Sequence, residues 1–184
     1  MGNALSDLWT SHGARNEYRV LMWGLWYSGK TTLLYKNLKG WNNVTPVSTI
    51  GFNVESVTQN EHNLVIWDLG GRDKLRPTWG QYFSGADGII YVVDATEVHR
   101  LDDAASELAS LLDFVTSNKG VANTPLLVFA NKQDLAGAKS PQEISEALKL
   151  RAIQDRKWKV VACSAANGNG VDEGMNWLVA NLQS

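Results

Sequence analysis

Gly24-Leu25-Trp26-Tyr27-Ser28-Gly29-Lys30-Thr31 is the stretch that decides how the rest of the chain reads. It fits G-x-x-x-x-G-K-[ST], follows the apolar run 18–23 and opens a helical pattern over 30–38. A strand before and a helix after are what lift such a motif above a chance glycine turn. A polyphosphate needs many N–H donors and a close backbone approach. Glycines allow the turn, successive amides form an anion nest, and the helix N-terminus adds its positive end. The loop residues Gly24, Leu25, Trp26, Tyr27, Ser28 and Gly29 are therefore expected to line the phosphates, continuing into Lys30, Thr31 and Thr32. Lys30 is expected to reach the outer phosphates and Thr31 to offer a hydroxyl to Mg²⁺. Trp26 and Tyr27 are bulky for a loop that hugs an anion. Three placements of their rings stay open: a lid on the phosphates, the space of an attacking water, or packing on the surface.

Outward from this loop, short β-rich runs alternate with longer helical patterns. The spacing predicts strands over 18–23, 52–58, 63–68, 88–94, 126–130 and 159–163, and helices over 30–38, 101–117, 141–148 and 171–182. Ile89-Ile90-Tyr91-Val92-Val93 and Leu126-Leu127-Val128-Phe129 are apolar at every position, as in strands covered on both faces. Only 63–68 follows its predecessor closely enough for a hairpin, with Gln59 to His62 as the turn. The expected fold is α/β of the P-loop NTPase type. It has a mostly parallel six-stranded sheet, one antiparallel edge strand and helices on both faces. Ser140-Pro141-Gln142-Glu143 reads as an N-cap, a first-turn proline and a capping-box glutamate. Ligands of such sheets bind at the carboxyl ends of the strands.

Two more motifs fall at those ends. Asp68-Leu69-Gly70-Gly71 closes the third strand. A carboxylate there holds a magnesium-bound water, and a glycine amide such as Gly71 meets the terminal phosphate. Thr49, in the loop 44–51, is a candidate second magnesium ligand. Asn131-Lys132-Gln133-Asp134 follows the fifth strand. Asp134 can accept from both N1–H and the 2-amino group of guanine, a donor pair that adenine lacks. Asn131 supports either O6 or the loop, and the Lys132 stem covers the ring face. Cys163-Ser164-Ala165 follows the last strand and is placed to give O6 a backbone amide.

With phosphate loop, D-x-G-G and N-K-x-D in this order, the sequence resembles the Arf and Arf-like branch of the Ras-related small GTPases. The resemblance runs from Gly2 to about Leu182 and is carried also by Thr49-Ile50-Gly51-Phe52-Asn53-Val54-Glu55, Lys74-Leu75-Arg76-Pro77 and Tyr82-Phe83. It implies a GDP/GTP switch with Mg²⁺ and switch loops near 44–52 and 69–82. It also implies a hairpin that slides on GTP binding and displaces the N-terminal helix. Exchange factors, activating proteins and effectors follow as partners. Phe52, Trp67 and Tyr82 match the aromatic trio that the family presents to effectors; core packing is the plain alternative. Lys30 and Gly71 match its catalytic apparatus. Most relatives carry Asp where this chain has Trp26, Asn or Ala at Tyr27, and a water-orienting Gln at Arg72. Arginine has donors only and cannot accept a hydrogen bond from the attacking water, so slow intrinsic hydrolysis is expected. Arg72 as a built-in arginine finger, or as a bystander to a partner's catalytic groups, stays open.

Composition agrees with one GTP-binding domain over 18–184 behind an N-terminal segment over 1–17. The 184 residues are 44% hydrophobic and 20% charged, with net charge -2, which argues against a general nucleic-acid binder. A lone cysteine, Cys163, fits a reducing, cytoplasmic compartment. There is no apolar run long enough for a membrane span, no secretory apolar core and no prenylation cysteine. Met1-Gly2-Asn3-Ala4-Leu5-Ser6 fits N-myristoylation at Gly2, and Leu5, Leu8 and Trp9 share one helical face. One acyl chain with a short amphipathic helix gives weak, reversible contact with the cytosolic face of a membrane. Two other functions compete with the switch: a pseudo-GTPase interaction module, favoured by Trp26, Tyr27 and Arg72, and a metabolic P-loop kinase, disfavoured by the guanine reader.

Overall fold

The computed structural model describes residues 17–40, 51–70, 85–117 and 123–182. Six strands form one sheet: β1 (Glu17–Trp23), β2 (Phe52–Gln59), β3 (His62–Leu69), β4 (Gly88–Asp94), β5 (Leu126–Asn131) and β6 (Trp158–Ala162). Their order is β2-β3-β1-β4-β5-β6. Among the described residues only the β2–β3 pair is antiparallel, and β2 is the edge strand, in line with the one antiparallel edge strand expected from sequence. The helices are α1 (Lys30–Thr32), α2 (Leu101–Ser117), α3 (Pro141–Ala147) and α4 (Val171–Asn181).

Alternation along the strands divides the core into two layers. Leu21, Trp23, Ile89, Tyr91, Val93, Leu126 and Val128 face α2 and α3. Val20, Met22, Ile66, Ile90, Val92, Leu127 and Phe129 face the helix after the phosphate loop and α4. Both sides of β4 and β5 are thus covered, which is why those runs carry no polar alternation. Gly174 lets α4 lie close: a Cβ there would stand 2.4 Å from Phe129 Cε1. The capping box at Ser140 is formed, with Ser140 Oγ accepting from Glu143 N and Glu143 Oε2 accepting from Ser140 N.

Two local expectations are corrected. Gln59 and His62 are ladder partners, so the hairpin turn is only Asn60-Glu61. Both have positive φ (47° and 66°), the backbone that matches the twist of a two-residue hairpin. The helix read over 30–38 is α-helical only over Lys30–Thr32 and continues as a π-helix over Leu33–Leu38. The N–H of Lys39 reaches back five residues to Leu34 O at 2.9 Å. Widened turns of this kind are rare and favour functional sites.

Candidate nucleotide site

The phosphate loop leaves β1 at Trp23 and turns back into α1 through two glycines in positive-φ backbone, Gly24 (145°) and Gly29 (96°). A Cβ on Gly24 would stand 2.2 Å from Val92 O, and one on Gly29 would stand 2.3 Å from Asn131 Nδ2. The glycines therefore serve both the turn and the close approach of neighbouring strands. Lys30 is buried, and its ammonium donates to Gly24 O (2.8 Å), Leu25 O (2.8 Å) and Ser28 Oγ (3.4 Å). Three donors meet three acceptors, so the loop is wrapped around this charge.

Burial lowers the pKa of Lys30 to about 8; Asp68 pulls it back, while Arg100 adds to the lowering. Between that value and the ordinary lysine pKa, the unfolded chain holds more proton than the folded one. The free protein therefore gains stability from this group as pH rises through that window. Nucleotide binding has the opposite sign, because a polyphosphate selects the ammonium. Affinity should be full below pH 8 and fall by up to about tenfold per pH unit above it. Titration with a fluorescent nucleotide between about pH 7 and 9 checks this; a flat profile would mean the free lysine keeps its proton throughout.

The rings of Trp26 and Tyr27 stand at the surface of the loop. They are 47% and 60% exposed, and their rings lie 4.9 Å apart. The Arg100 guanidinium covers the Trp26 ring at 4.8 Å.

Thr31 and Asp68 are the pair that could serve a metal ion. Thr31 Oγ1 donates to Asp68 Oδ2 at 2.9 Å, which leaves the hydroxyl's lone pairs for a cation. Asp68 is fully buried near the end of β3, level with Met22 of β1. Two hard oxygen donors beside an anion cradle suit Mg²⁺, which binds through one or two protein oxygens and completes its shell with phosphates and water. Among the described residues, no three His, Cys, Asp or Glu side chains could hold a metal by themselves. Thr32 follows on the same turn, half-buried. Gly2, Thr49, Gly71, Arg72 and Tyr82 lie outside the described residues.

The base side is built around Asn131, at the end of β5 and almost wholly buried. Its Nδ2 donates to Ser28 O (2.8 Å) and its Oδ1 accepts from Ala165 N (2.9 Å). Asn131 therefore supports the loops, one of the two roles open from sequence. Lys132 has positive φ (68°) and pairs with Asp94 through its ammonium. Burial works against the Asp94 carboxylate, yet bonds from Lys132 and Thr96 outweigh it and hold its pKa below the ordinary value. Asp134 is exposed, and its Oδ1 accepts from Ser164 Oγ at 2.5 Å. One carboxylate edge is thus fixed while the residue faces solvent. Cys163 lies beneath, its thiol 3.6 Å from Asn131 Oδ1 and its pKa pushed up to about 12 by burial and then by Asp134. It acts here as packing rather than as a reactive group. The amides proposed for O6 already have partners: Ser164 N donates to Asn169 O and Ala165 N to Asn131 Oδ1. Reading O6 through either requires a shared donor.

Sequence reasoning missed the π-helix as part of this site. Lys36 Nζ donates to Ala166 O (2.6 Å) and Asn37 Nδ2 to Ala165 O (2.9 Å). The helix that follows the phosphate loop thereby grips the loop after β6. No residue pattern in 33–38 signals the extra residue per turn, since leucines at 33, 34 and 38 fit an α-helix equally well.

Of the aromatic trio, Phe52 and Trp67 stack across the β2–β3 hairpin at 5.5 Å, and Phe52 is 43% exposed, which excludes simple core packing for it. Arg19 covers the Trp67 ring at 4.3 Å.

Comparison with known proteins agrees with this geometry. A sequence model of the ADP-ribosylation factor family matches residues 4–182. Among solved structures, the chain is similar to the Arl6 BBS3 small GTPase from Trypanosoma brucei with bound nucleotide analogue GppNp. The match has a TM-score of 0.79 and 34% sequence identity, and covers 89% of this chain and 96% of that one.

Proposed function

Because the chain belongs to the ADP-ribosylation factor family, we propose that it is a guanine-nucleotide switch with slow intrinsic hydrolysis, recruiting effector proteins in its GTP state. The observation that carries this reading is the pair of hydrogen bonds made by Asn131, which ties the phosphate loop at Ser28 to the base-side loop at Ala165. A phosphate cradle alone serves any nucleotide. A cradle joined in this way to an exposed, pre-oriented carboxylate at Asp134 serves guanine.

Each group has a distinct task. Lys30 neutralises polyphosphate charge from inside the loop. Thr31 and Asp68 would hold Mg²⁺, which supplies further neutralisation of the phosphates when bound. Asp134 accepts from the base, and Ser164 keeps that carboxylate turned the right way. Hydrolysis is the weak point, because Arg72 stands where relatives carry the residue that orients water, and a guanidinium has no lone pair to offer. Exchange factors, activating proteins and effectors complete the cycle, with the stacked Phe52 and Trp67 as the effector-facing pair. A myristoyl group at Gly2 with the apolar face of Leu5, Leu8 and Trp9 would give reversible contact with the cytosolic face of membranes.

Denaturing freshly purified protein and separating the released nucleotide by chromatography tests the reading. Stoichiometric guanine nucleotide with a large GTP share is expected. Mostly GDP would count against slow turnover. An empty protein that also refuses GTP with Mg²⁺ would leave an interaction module without a nucleotide cycle.

A further inference from the structure

Tyr27 holds a left-handed backbone conformation (φ 62°) in the middle of the phosphate loop. A bulky residue stays there only where its surroundings hold it. Its own ring is exposed and packs against the neighbouring Trp26 ring. The support comes from 74 positions along the chain. Arg100 Nη1 donates to Trp26 O at 3.2 Å and to Glu97 Oε2 at 2.5 Å. The same guanidinium lies over the Trp26 ring at 4.8 Å. A short 3₁₀ turn, Val98–Arg100, carries it, and Arg100 N closes that turn on Glu97 O at 2.9 Å.

We propose that Arg100, fixed by Glu97, is a positioning residue for nucleotide retention: it pins Trp26 and so holds Tyr27 in the conformation that aims its amide into the phosphate cradle. This rests on the nucleotide reading above. The physical link is the planar peptide between the two aromatics. Its carbonyl and its N–H point in opposite directions. Pulling Trp26 O outward to Arg100 therefore turns the Tyr27 N–H inward, toward a bound anion. The planar fork gives Arg100 both a donor for the carbonyl and a flat cationic face for the indole; an ammonium offers the charge without that geometry.

The test is the dissociation rate of a fluorescent GDP from full-length protein, with thermal melting recorded alongside. Arg100→Gln and Arg100→Lys should each speed release by about tenfold, since both lose the fork. Glycine adopts positive φ freely, so in a Tyr27→Gly background the same Arg100→Gln change should speed release by less than about threefold. A merely structural role for Arg100 would lower the melting temperature equally in both backgrounds and show no such non-additivity. Should Arg100→Gln not fold, Glu97→Gln releases the same guanidinium and should follow the same order. An unchanged release rate in Arg100→Gln, full function in Arg100→Lys, or equal effects in both backgrounds would overturn the proposal. A wild-type protein that takes up no guanine nucleotide would overturn the functional reading and this inference together.

Discussion

Replacing Asp134 with asparagine is expected to lower the affinity for GTP by roughly 10⁴-fold, as for a site that loses a hydrogen-bonding match to its substrate. It should raise the affinity for xanthosine triphosphate. The geometry fixes the sign. Ser164 Oγ donates to Asp134 Oδ1 at 2.5 Å, so the amide of Asp134→Asn would keep its carbonyl on Ser164 and turn its NH₂ toward the base. An NH₂ faces the 2-amino group of guanine donor to donor. Xanthine carries a carbonyl at that position and accepts. Competition between the two triphosphates for a fluorescent guanine nucleotide measures both changes. An unaltered preference for GTP would mean that Asp134 does not read the base. The Thr31 and Asp68 pair is remote from this exchange, so the magnesium requirement should persist.

The second large effect lies at Gly24. Gly24→Ala places a methyl 2.2 Å from Val92 O, in backbone with φ of 145° that side chains rarely adopt. Strain at one such residue costs about 1–3 kcal/mol and the overpacking costs a similar amount. A total of about 2–6 kcal/mol should lower the melting temperature by roughly 10 °C for a domain of this size. Binding should suffer as well, since Gly24 O is one of the three acceptors that hold the Lys30 ammonium. Gly137→Ala is the control: it also has positive φ (83°) but meets nothing within 4 Å. It should cost only about 1–2 kcal/mol and leave nucleotide affinity intact. Equal effects at the two positions would show that the approach to β4 does not matter.

What was legible in the sequence had a local cause. β4 and β5 stood out because both faces are covered, which forces unbroken apolar runs. The phosphate loop stood out because turn, close approach and charge each demand one residue type at one spacing. The antiparallel pairing of β2 and β3 is legible because their connection is too short for a crossover. Elements set by contacts between distant segments stayed hidden. Asn131 and Ser28 are 103 positions apart, and Lys36 and Ala166 are 130 apart. No window of sequence carries such pairs. The strands run one residue further into the hairpin at each end than the sequence suggests, because Asn60 and Glu61 take positive φ without a glycine to announce it. Arg100 and Trp26 are hidden for a related reason: 74 positions separate them, and only the fold brings them together.

Asn131 has a consequence for how the site handles fragments of its ligand. A nucleoside and a triphosphate offered separately would each meet a loop held in place partly by the other loop's anchor. Joined in one molecule, they arrive at two platforms already spaced by a single amide. The second contact then forms at a high effective concentration instead of as an independent encounter. Selectivity for the base and retention of the phosphates are, in this fold, two readings of one rigid spacer.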